Sequence, residues 1–374
     1  MVEAEGRPAL VTRLAALLLA AVAVVLAQAA CDGGALVDGG SVRERVEGDW
    51  VRVTFTDPTL FDEEMAPEGG LGAELVWLID HAERSVDIAA YDFGLSTVAY
   101  AMVAAQRRGV DVRLVTESDN VGGRALGLVQ EAGVPVVEDR SDDGLMHNKF
   151  AVIDDQWVWT GSWNMTENGT TRNNNNAVLI ASTALAENYS VEFEEMMAGQ
   201  FGPTSPLNTP YPRVVITVEG DDGQARQVEV ENAFAPEGEV AKEVIAEIRA
   251  AQERIRFMAF VFTSEEIAQA MVERGEAGVV VQGVMESRNA GSPYSQYDRL
   301  RAAVHDILLD GNPYIMHHKV IIIDDETVIL GSYNFSRSAE TDNDENLLII
   351  HDREVAGLFV EEFGRVYERA RERE

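Results

Sequence analysis

The sequence of 374 residues contains a single cysteine, so no disulfide bond within the chain is available. It is also poor in basic residues: 30 lysines and arginines stand against 64 aspartates and glutamates, which gives a formal net charge of -34. This excess of acid argues against broad electrostatic binding to nucleic acid or to an anionic membrane, although it leaves room for a local basic cleft. With 46% hydrophobic residues, the chain can still bury a sizeable core, and its length suits two domains of ordinary size.

The longest apolar run lies near the start of the sequence and has the features of an export signal. Arg7 and Arg13 precede residues 14–26, which are entirely apolar and are followed by small residues. The pattern predicts that residues 1–30 are a signal segment and that residues 31–50 form a spacer. We therefore expect an exported protein.

Cys31 directly follows two alanines, an arrangement similar to the lipid-attachment site of bacterial lipoproteins. It predicts a lipid-anchored protein of a bacterial cell envelope. Gln28 departs from the apolar residue usual at that place, and residues 27–29 also fit ordinary signal cleavage, so a periplasmic or secreted protein is the alternative. A retained membrane helix is disfavoured, because the apolar run is shorter than the roughly 20 residues that a span requires.

The remainder of the sequence is an internal repeat. Residues 146–154 recur as residues 316–324, and each copy contains Met-His-x-Lys and then an aspartate. Gly-Ser-x-Asn follows each copy, at residues 161–164 and 331–334. Equivalent residues are 170 positions apart, as 147 and 317 or 161 and 331 show. The chain is therefore a duplicated domain.

Strand and helix patterns alternate upstream of both copies, which predicts an α/β fold. Each half should be a βαβ-rich unit with a mixed sheet flanked by helices. The proline-rich residues 203–212 cannot continue a helix or a central strand and separate the halves 51–202 and 213–374. The predicted helices are 74–82, 96–108, 240–251 and 264–274, and the predicted strands are 86–91, 110–116, 255–262 and 279–285.

The histidine and the lysine of each copy are two residues apart at the head of an apolar, β-branched run. On a strand, His147 and Lys149 would share one face, as would His317 and Lys319. Each half therefore offers an imidazole beside a fixed cation.

After each run, a polar pair suits a turn, and a second apolar strand then returns beside the first. This hairpin brings the hydroxyl and amide of Gly-Ser-x-Asn back to the histidine, but it leaves Asp154 and Asp324 at the far end. Both aspartates are thus more readily structural than catalytic. The residues returned to the histidines are Ser162, Asn164, Ser332 and Asn334.

Displacement at a phosphodiester requires a nucleophile, a proton donor for the leaving oxygen and cations or dipoles for the phosphoryl oxygens. Two such half-sites facing each other supply all three without a metal or cofactor. The sequence contains no HExxH motif or closely spaced Cys/His set, and the repeated lysine would oppose a cation bound by His147 and Asp154. The groups expected to hold the phosphoryl oxygens are Lys149, Lys319, Asn164 and Asn334.

The pattern H-x-K, four residues, D, six residues, G-S-x-N, present twice, resembles the phospholipase D superfamily, including its exported bacterial members. The resemblance covers the chain from about residue 51 onward. It implies a pseudo-twofold fold with one active site at the interface between the halves, and hydrolysis through phosphohistidine. It also implies that Asp154 and Asp324 belong to the catalytic motif, and that the motif serines and asparagines contact phosphate.

The two halves differ at one informative position. Glu345 is similar to the acidic residue with which the family orients a histidine, and Asn175 occupies the equivalent place in the first half. In related proteins this group reaches the histidine of the opposite half, which assigns Glu345 to His147 and Asn175 to His317. A carboxylate suits the ring that becomes cationic, so His147 is predicted as nucleophile and His317 as general acid, with the exchanged roles as the alternative.

Three functions remain open. A phospholipase releasing phosphatidate and a headgroup alcohol is favoured by predicted export and by a net charge that suits cationic headgroups. A metal-independent nuclease or other nucleic-acid phosphodiesterase is the alternative, although it would normally require a basic groove. A non-catalytic envelope protein is disfavoured because both motifs are complete. No protein partner is predicted.

Three further residues have open interpretations. His318 fills the variable position of its motif and is expected to be structural or solvent-facing. Trp163 and Tyr333 are expected either to pack in the core or to line the substrate cleft.

Overall fold

The computed structural model describes residues 36–38, 41–46, 49–56, 58, 70–139, 144–219 and 224–373. Residues 1–35, which include the predicted signal segment and Cys31, lie outside this described part. The strands are β1 (Leu36–Asp38), β2 (Ser41–Arg45), β3 (Val51–Phe55), β4 (Ser85–Ala90), β5 (Asp111–Glu117), β6 (Val136–Asp139), β7 (Lys149–Ile153), β8 (Trp157–Gly161), β9 (Asn176–Ala181), β10 (Arg213–Glu219), β11 (Ala225–Ala235), β12 (Arg254–Ala259), β13 (Val280–Met285), β14 (Asp306–Leu309), β15 (Lys319–Ile323), β16 (Thr327–Gly331) and β17 (Glu345–His351).

Helices cover both sheets. Four of them correspond to the predicted helices 74–82, 96–108, 240–251 and 264–274 and begin within three residues of them. The others were not among the predicted helices, and they include the short helices that follow Gly-Ser-x-Asn. The α-helices are α1 (Leu71–His81), α2 (Ser96–Arg108), α3 (Arg124–Glu131), α4 (Glu167–Thr171), α5 (Thr183–Met197), α6 (Val240–Ala250), α7 (Glu265–Glu276), α8 (Tyr297–Val304), α9 (Arg337–Thr341) and α10 (Arg353–Arg371).

The strands form two mixed sheets with the same internal order. The first sheet runs β3-β9-β8-β7-β4-β5-β6, and the second contains the equivalent series β11-β17-β16-β15-β12-β13-β14. In each series the strands that follow a helix crossover pair in parallel, whereas the hairpin strands pair antiparallel. The predicted α/β fold, with two related halves and a mixed sheet in each, is confirmed.

The second sheet is extended at one edge by three further strands, β10, β2 and β1. Strand β2 pairs in parallel with β10, from Ser41 opposite Arg213 to Arg45 opposite Thr217. The stretch predicted as a spacer therefore contributes strands, and these strands belong to the sheet of the second half. Strand β10 is rich in buried β-branched residues, and its outer backbone edge can pair with a neighbouring strand.

Three apolar clusters divide the core. One lies outside the first sheet under α1 to α3, and one lies outside the second sheet under α6 to α8. The third joins the facing sides of both sheets with the long helices α5 and α10, for example through Phe193 and Phe359. This central cluster fixes the two halves against each other, so residues at their shared edge have a defined geometry. No helix in the described part of the chain combines the length and apolarity needed to cross a membrane.

A tight turn connects the strands of each motif hairpin. Asp154 and Asp155 have φ angles of 56° and 52°, and the N–H of Gln156 donates to the carbonyl of Ile153 at 3.1 Å. Aspartate tolerates this left-handed region better than most residues, which explains the polar pair at this point. The Asp324–Asp325 turn repeats the geometry, with φ angles of 53° and 57°.

The glycine of Gly-Ser-x-Asn is required by close backbone packing. Gly161 has a φ of 159°, and a Cβ there would lie 2.2 Å from the carbonyl oxygen of Asn176. Gly331 has a φ of 147°, and a Cβ there would lie 2.3 Å from the carbonyl oxygen of Asn346. The absence of a side chain lets each hairpin strand approach its neighbour and places the following serine beside it.

Candidate active site

The histidine segments of the two halves are joined by backbone hydrogen bonds across the interface. The N–H of His147 donates to the carbonyl of Asp344 at 3.0 Å, and the N–H of His317 donates to the carbonyl of Asn174 at 3.0 Å. Each histidine is therefore anchored on the other half of the protein. The arrangement places both imidazoles, 7% and 6% exposed, at one shared edge.

The side-chain partners of the two imidazoles also cross the interface. Nδ1 of His147 lies 2.7 Å from a carboxylate oxygen of Glu345. Nδ1 of His317 lies 2.9 Å from the amide oxygen of Asn175 and 2.9 Å from the carbonyl oxygen of Ser162. Since these partners accept hydrogen bonds, Nδ1 of each ring carries the proton and Nε2 is left with its lone pair.

Both motif lysines are buried beside their histidines. Nζ of Lys149 donates to the carbonyl of His147 at 2.7 Å, and Nζ of Lys319 donates to the carbonyl of His317 at 2.9 Å. The two side chains are 1% exposed. A buried ammonium with one carbonyl partner retains two donors for an anionic ligand.

An aromatic ring lies against each His-Lys pair, and the sequence reasoning missed both. The ring of Tyr91 lies 4.7 Å from that of His147, with Nζ of Lys149 4.8 Å from its centroid. The ring of Phe260 lies 4.6 Å from that of His317 and 4.7 Å from Nζ of Lys319. The aromatic residue that ends the corresponding apolar run in both halves was the available signal.

Burial dominates the electrostatics of the site. It lowers the pKa of His147 and of His317 well below the usual histidine range, and the neighbouring lysines lower both values further. Burial also lowers the pKa of Lys149 to about 7, although Glu345 and then Asp92 oppose the change. At neutral pH both imidazoles are therefore uncharged, the form in which a ring nitrogen can attack.

The remaining charged groups follow the same rule. Burial raises the pKa of Glu345 to about 7, with Lys149 as the largest opposing influence. Burial lowers the pKa of Lys319 well below its usual value, and Lys149 adds to the decrease. An anion bound between the lysines would stabilise their charged forms and would raise the pKa of both histidines.

The motif serines have a different role from the phosphate contact that was expected. The hydroxyl of Ser332 donates to Glu345 at 2.6 Å, and the hydroxyl of Ser162 donates to the amide oxygen of Asn175 at 3.0 Å. Each hydroxyl proton is therefore committed to the group that orients a histidine. The predicted direct contact of these serines with phosphate is corrected to an orienting role.

The motif asparagines are available to a ligand. The Oδ1 atoms of Asn164 and Asn334 are buried, and neither has a hydrogen-bond partner among the described residues. An unpartnered buried acceptor is uncommon in proteins and is expected where a ligand or water donates to it. The Nδ2 groups of the same amides are the atoms that can donate to a phosphoryl oxygen.

Asp154 and Asp324 lie at the opposite end of the motif strands. The carboxylate of Asp154 accepts the backbone N–H groups of residues 83–85 at 2.6 to 3.2 Å, and Asp324 accepts those of residues 252–254 at 2.7 to 2.8 Å. The five residues of β7 or β15 lie between each aspartate and the histidine of its motif, and a strand of five residues is about 17 Å long. Their position in the catalytic motif is therefore structural, because they fix the hairpin to the preceding strand.

The variable position of each motif is also structural. His318 is fully buried; it accepts from the amide of Asn176 at 2.8 Å and donates to Glu362 at 2.8 Å. The solvent-facing alternative for His318 was wrong, because α10 covers this face of the sheet. Trp163 and Tyr333 are 0% and 1% exposed, so they pack in the core and do not line the cleft.

One group of side chains in the described part of the chain could hold a metal ion, and it lies away from the site. It consists of Glu229 and Glu231 on β11 and His351 on β17. Arg213 already pairs with both carboxylates, at 3.1 Å each. The cluster is thus an ion-pair network on the sheet of the second half.

Fold and site together define a duplicated α/β protein in which two His-x-Lys motifs form one buried, two-lysine centre at the interface of the halves. The family described as "Cardiolipin synthase, PLD-like domain" matches residues 75–197 and 244–367, which is more than half of the chain. The chain belongs to this phospholipase D-like family.

Similar proteins include a mitochondrial cardiolipin hydrolase of Xenopus tropicalis, 34% identical over 36% of this chain and 63% of the relative. A phospholipase D of Rickettsia prowazekii is 33% identical over 35% of this chain and 64% of the relative. The chain thus spans somewhat less than two thirds of the length of these curated relatives. Among solved structures, the phosphatidylserine synthase of Haemophilus influenzae covers 80% of this chain and 84% of its own, with a TM-score of 0.57 and 14% identity, and shows the fold.

Proposed function

We propose that the protein is a phospholipase D-type phosphodiesterase that hydrolyses glycerophospholipids to phosphatidate and the headgroup alcohol without a metal. The observation that carries the proposal is the pair of buried imidazoles, each held at Nδ1 by the opposite half: His147 by Glu345 and His317 by Asn175. Both rings can therefore present Nε2 to one phosphorus atom, which a double displacement requires.

In the first step, Nε2 of His147 forms a bond to phosphorus, and the bond between phosphorus and the headgroup oxygen breaks. His317 gives its proton to the departing oxygen. The carboxylate of Glu345 stabilises the positive charge that develops on His147, whereas the neutral amide of Asn175 orients His317 without stabilising charge to the same degree. In the second step His317 takes a proton from water, the water oxygen bonds to phosphorus, and the bond to His147 breaks.

Binding of the phosphodiester raises the pKa of the general acid, so that its ring carries the proton it must donate. Burial and the lysines lower the pKa of His317. A bound phosphodiester places negative charge between Lys149 and Lys319 and so favours protonation of the nearby ring. The lysines, with Asn164 and Asn334, then hold the phosphoryl oxygens as charge shifts toward the leaving group.

The charge of the loops around the site favours lipid over nucleic acid. Among their described residues that are not buried, these loops contain three arginines, no lysine and five acidic residues. A nucleic-acid strand would pass across this net negative rim, and the counterion release that drives such binding would be small. The similarity to a cardiolipin hydrolase and a phospholipase D supports the same choice. The loops are residues 91–95, 118–123, 164–175, 260–264, 286–296, 310–316 and 334–344.

The test supplies purified protein, in the presence of EDTA, with vesicles of phosphatidylcholine, phosphatidylethanolamine or cardiolipin and, separately, with single-stranded DNA. We expect phosphatidate, or its equivalent from cardiolipin, and no nucleotide fragments. A His147→Ala variant controls for contaminating activity. Release of nucleotides without phosphatidate would reverse the assignment to lipid, and inactivity toward all four substrates would contradict the proposed function.

Export and lipid attachment at Cys31 remain part of the proposal. Anchoring at a membrane would hold the site beside its substrate and would raise the local phospholipid concentration.

A further inference from the structure

A second repeated motif, Glu-Ser-x-Asn, lies behind the histidines. It occupies residues 117–120 in the first half and 286–289 in the second, 169 positions apart. The motif begins at the end of β5 in the first half and directly after β13 in the second. These strands pair in parallel with β4 and β12, which lead to Tyr91 and Phe260. Neither copy contacts solvent through its glutamate, since Glu117 and Glu286 are 1% exposed.

The glutamates hold the backbone directly before each histidine. A carboxylate oxygen of Glu117 accepts the N–H of Met146 at 2.7 Å, and Glu286 accepts the N–H of Met316 at 2.7 Å. The other oxygen accepts an N–H of the motif's own turn, from Asp119 or Arg288, at 3.1 Å. Each carboxylate therefore joins the turn to the segment that carries the imidazole, with the strength of a charge-assisted hydrogen bond.

The asparagines hold the backbone of the aromatic residues whose rings lie against the His-Lys pairs. The amide of Asn120 donates to the carbonyl of Tyr91 at 2.8 Å, and that of Asn289 donates to the carbonyl of Phe260 at 2.8 Å. The four-residue turn thus fixes the imidazole from one side and the ring that packs on it from the other. A displacement of either by about 1 Å would be costly, because attack and proton transfer depend on near-contact geometry.

We propose that Glu117 and Asn120 position His147, and that Glu286 and Asn289 position His317, so that each motif controls a separate chemical role. The inference rests on the proposed function, in which His147 attacks phosphorus and His317 protonates the leaving oxygen. Damage to the first motif should therefore slow attack with any leaving group. Damage to the second should slow the first step only where the leaving group needs a proton.

The experiment compares Glu117→Gln and Glu286→Gln on two phosphodiesters that differ in leaving group. Glutamine keeps the size of the side chain, but its amide cannot accept both N–H groups. Phosphatidylethanolamine has a poor leaving group, whereas bis(p-nitrophenyl) phosphate has a good one whose departure needs no acid. The readouts are kcat and KM for the lipid and, for the second substrate, the first-turnover burst of p-nitrophenolate.

Glu117→Gln is expected to lower the lipid kcat and the burst rate alike, by about 10- to 100-fold, the scale of lost positioning in general acid-base and nucleophilic steps. Glu286→Gln should lower the lipid kcat by a similar factor and change the burst rate by less than about threefold. KM should stay within about threefold in both variants, since neither side chain meets the substrate. Glu131→Gln, on the exposed end of α3, is the matched surface control.

Asn120→Asp and Asn289→Asp provide a second pair in case the glutamate variants fold poorly. Aspartate has the same shape but cannot donate to the aromatic carbonyl, and each variant should repeat the split of its own motif. Equal losses on both substrates in both halves, or rates equal to those of the control, would overturn the assignment. Inactive unmodified protein would instead contradict the proposed function, so the two failures are distinguishable.

Discussion

The buried carboxyl pair Glu192 and Glu237, behind the first histidine segment, should make the protein less stable in mild alkali. Burial raises the pKa of both carboxyls, and the charge of Glu237 raises the pKa of Glu192 further. For Glu237 the pKa rises from 4.5 to about 7. The folded protein therefore binds a proton there more tightly than the unfolded chain does.

The sign of the effect follows from this difference. The contribution of the protonated pair is full below about pH 4.5, decreases as the pH rises toward 7, and is absent above that value. The difference between 4.5 and about 7 corresponds to about 3 kcal/mol as an upper value. Glu237→Gln removes the ionisation and keeps an amide that can donate to Glu192, so its stability should not show this decrease.

The measurement is the free energy of unfolding in urea at pH 5 and pH 8 for the unmodified protein and for Glu237→Gln. We expect the variant to be more stable at pH 8 by about 1–3 kcal/mol and similar at pH 5. Glu239→Gln removes the same charge two residues away at an exposed position, and it should leave the pH dependence unchanged. An identical decrease from pH 5 to pH 8 in all three proteins would refute the reasoning.

Four further outcomes are expected. Glu345→Gln should slow phosphohistidine formation by about 10²-fold with little change in unfolding free energy, as measured by rapid quench and urea titration. Activity should be unchanged after chelation with EDTA, and restoration of a stripped enzyme by zinc or calcium would contradict this. Asp154→Ala should destabilise the fold by about 2–4 kcal/mol in urea, because three backbone N–H groups lose their acceptor, while KM stays constant. Cys31→Ala should move the protein from the membrane to the soluble fraction, and a variant that stays membrane-bound would exclude lipid attachment.

The duplication made most of the fold and site readable from the sequence. The apolar runs that follow His147 and His317 are short, largely β-branched and bounded by polar turns, so their hairpins followed from local rules. The expected crossing of Glu345 to the other half depended on the family resemblance, because no local pattern records which half a side chain faces. The position of Asp154 could be inferred from strand length alone.

Other features depend on packing between distant segments, which a single sequence does not record. Strand β2 extends the second sheet because β10 leaves an unpaired edge, and nothing near Ser41 indicates that partner. The burial of His318 depends on α10, which follows it by more than thirty residues. The serine hydroxyls were expected to face phosphate, but the closer carboxylate and amide acceptors at Glu345 and Asn175 take their protons.

The two halves also differ in the charge that supports each histidine segment, and this difference bears on their roles. In the second half, Glu362 is paired with His318 and Arg365. The equivalent residues of the first half are Glu192, Asn148 and Glu195, so the corresponding carboxyl has no cationic partner there.

Carboxyl groups crowded around the first histidine segment are unfavourable in the absence of a positive charge. They stabilise a positive charge that forms nearby. In the proposed mechanism, phosphohistidine formation at His147 would place that charge on the ring whose Nδ1 contacts Glu345. The backbone N–H of the same residue donates to the carbonyl of Asp344. Burial raises the pKa of Asp344 to about 8, and the neighbouring carboxyls of Glu237, Asp139 and Glu345 add to the increase. The same surroundings would hinder a general acid from releasing its proton, so the charge distribution favours His147 as the nucleophile and His317 as the acid.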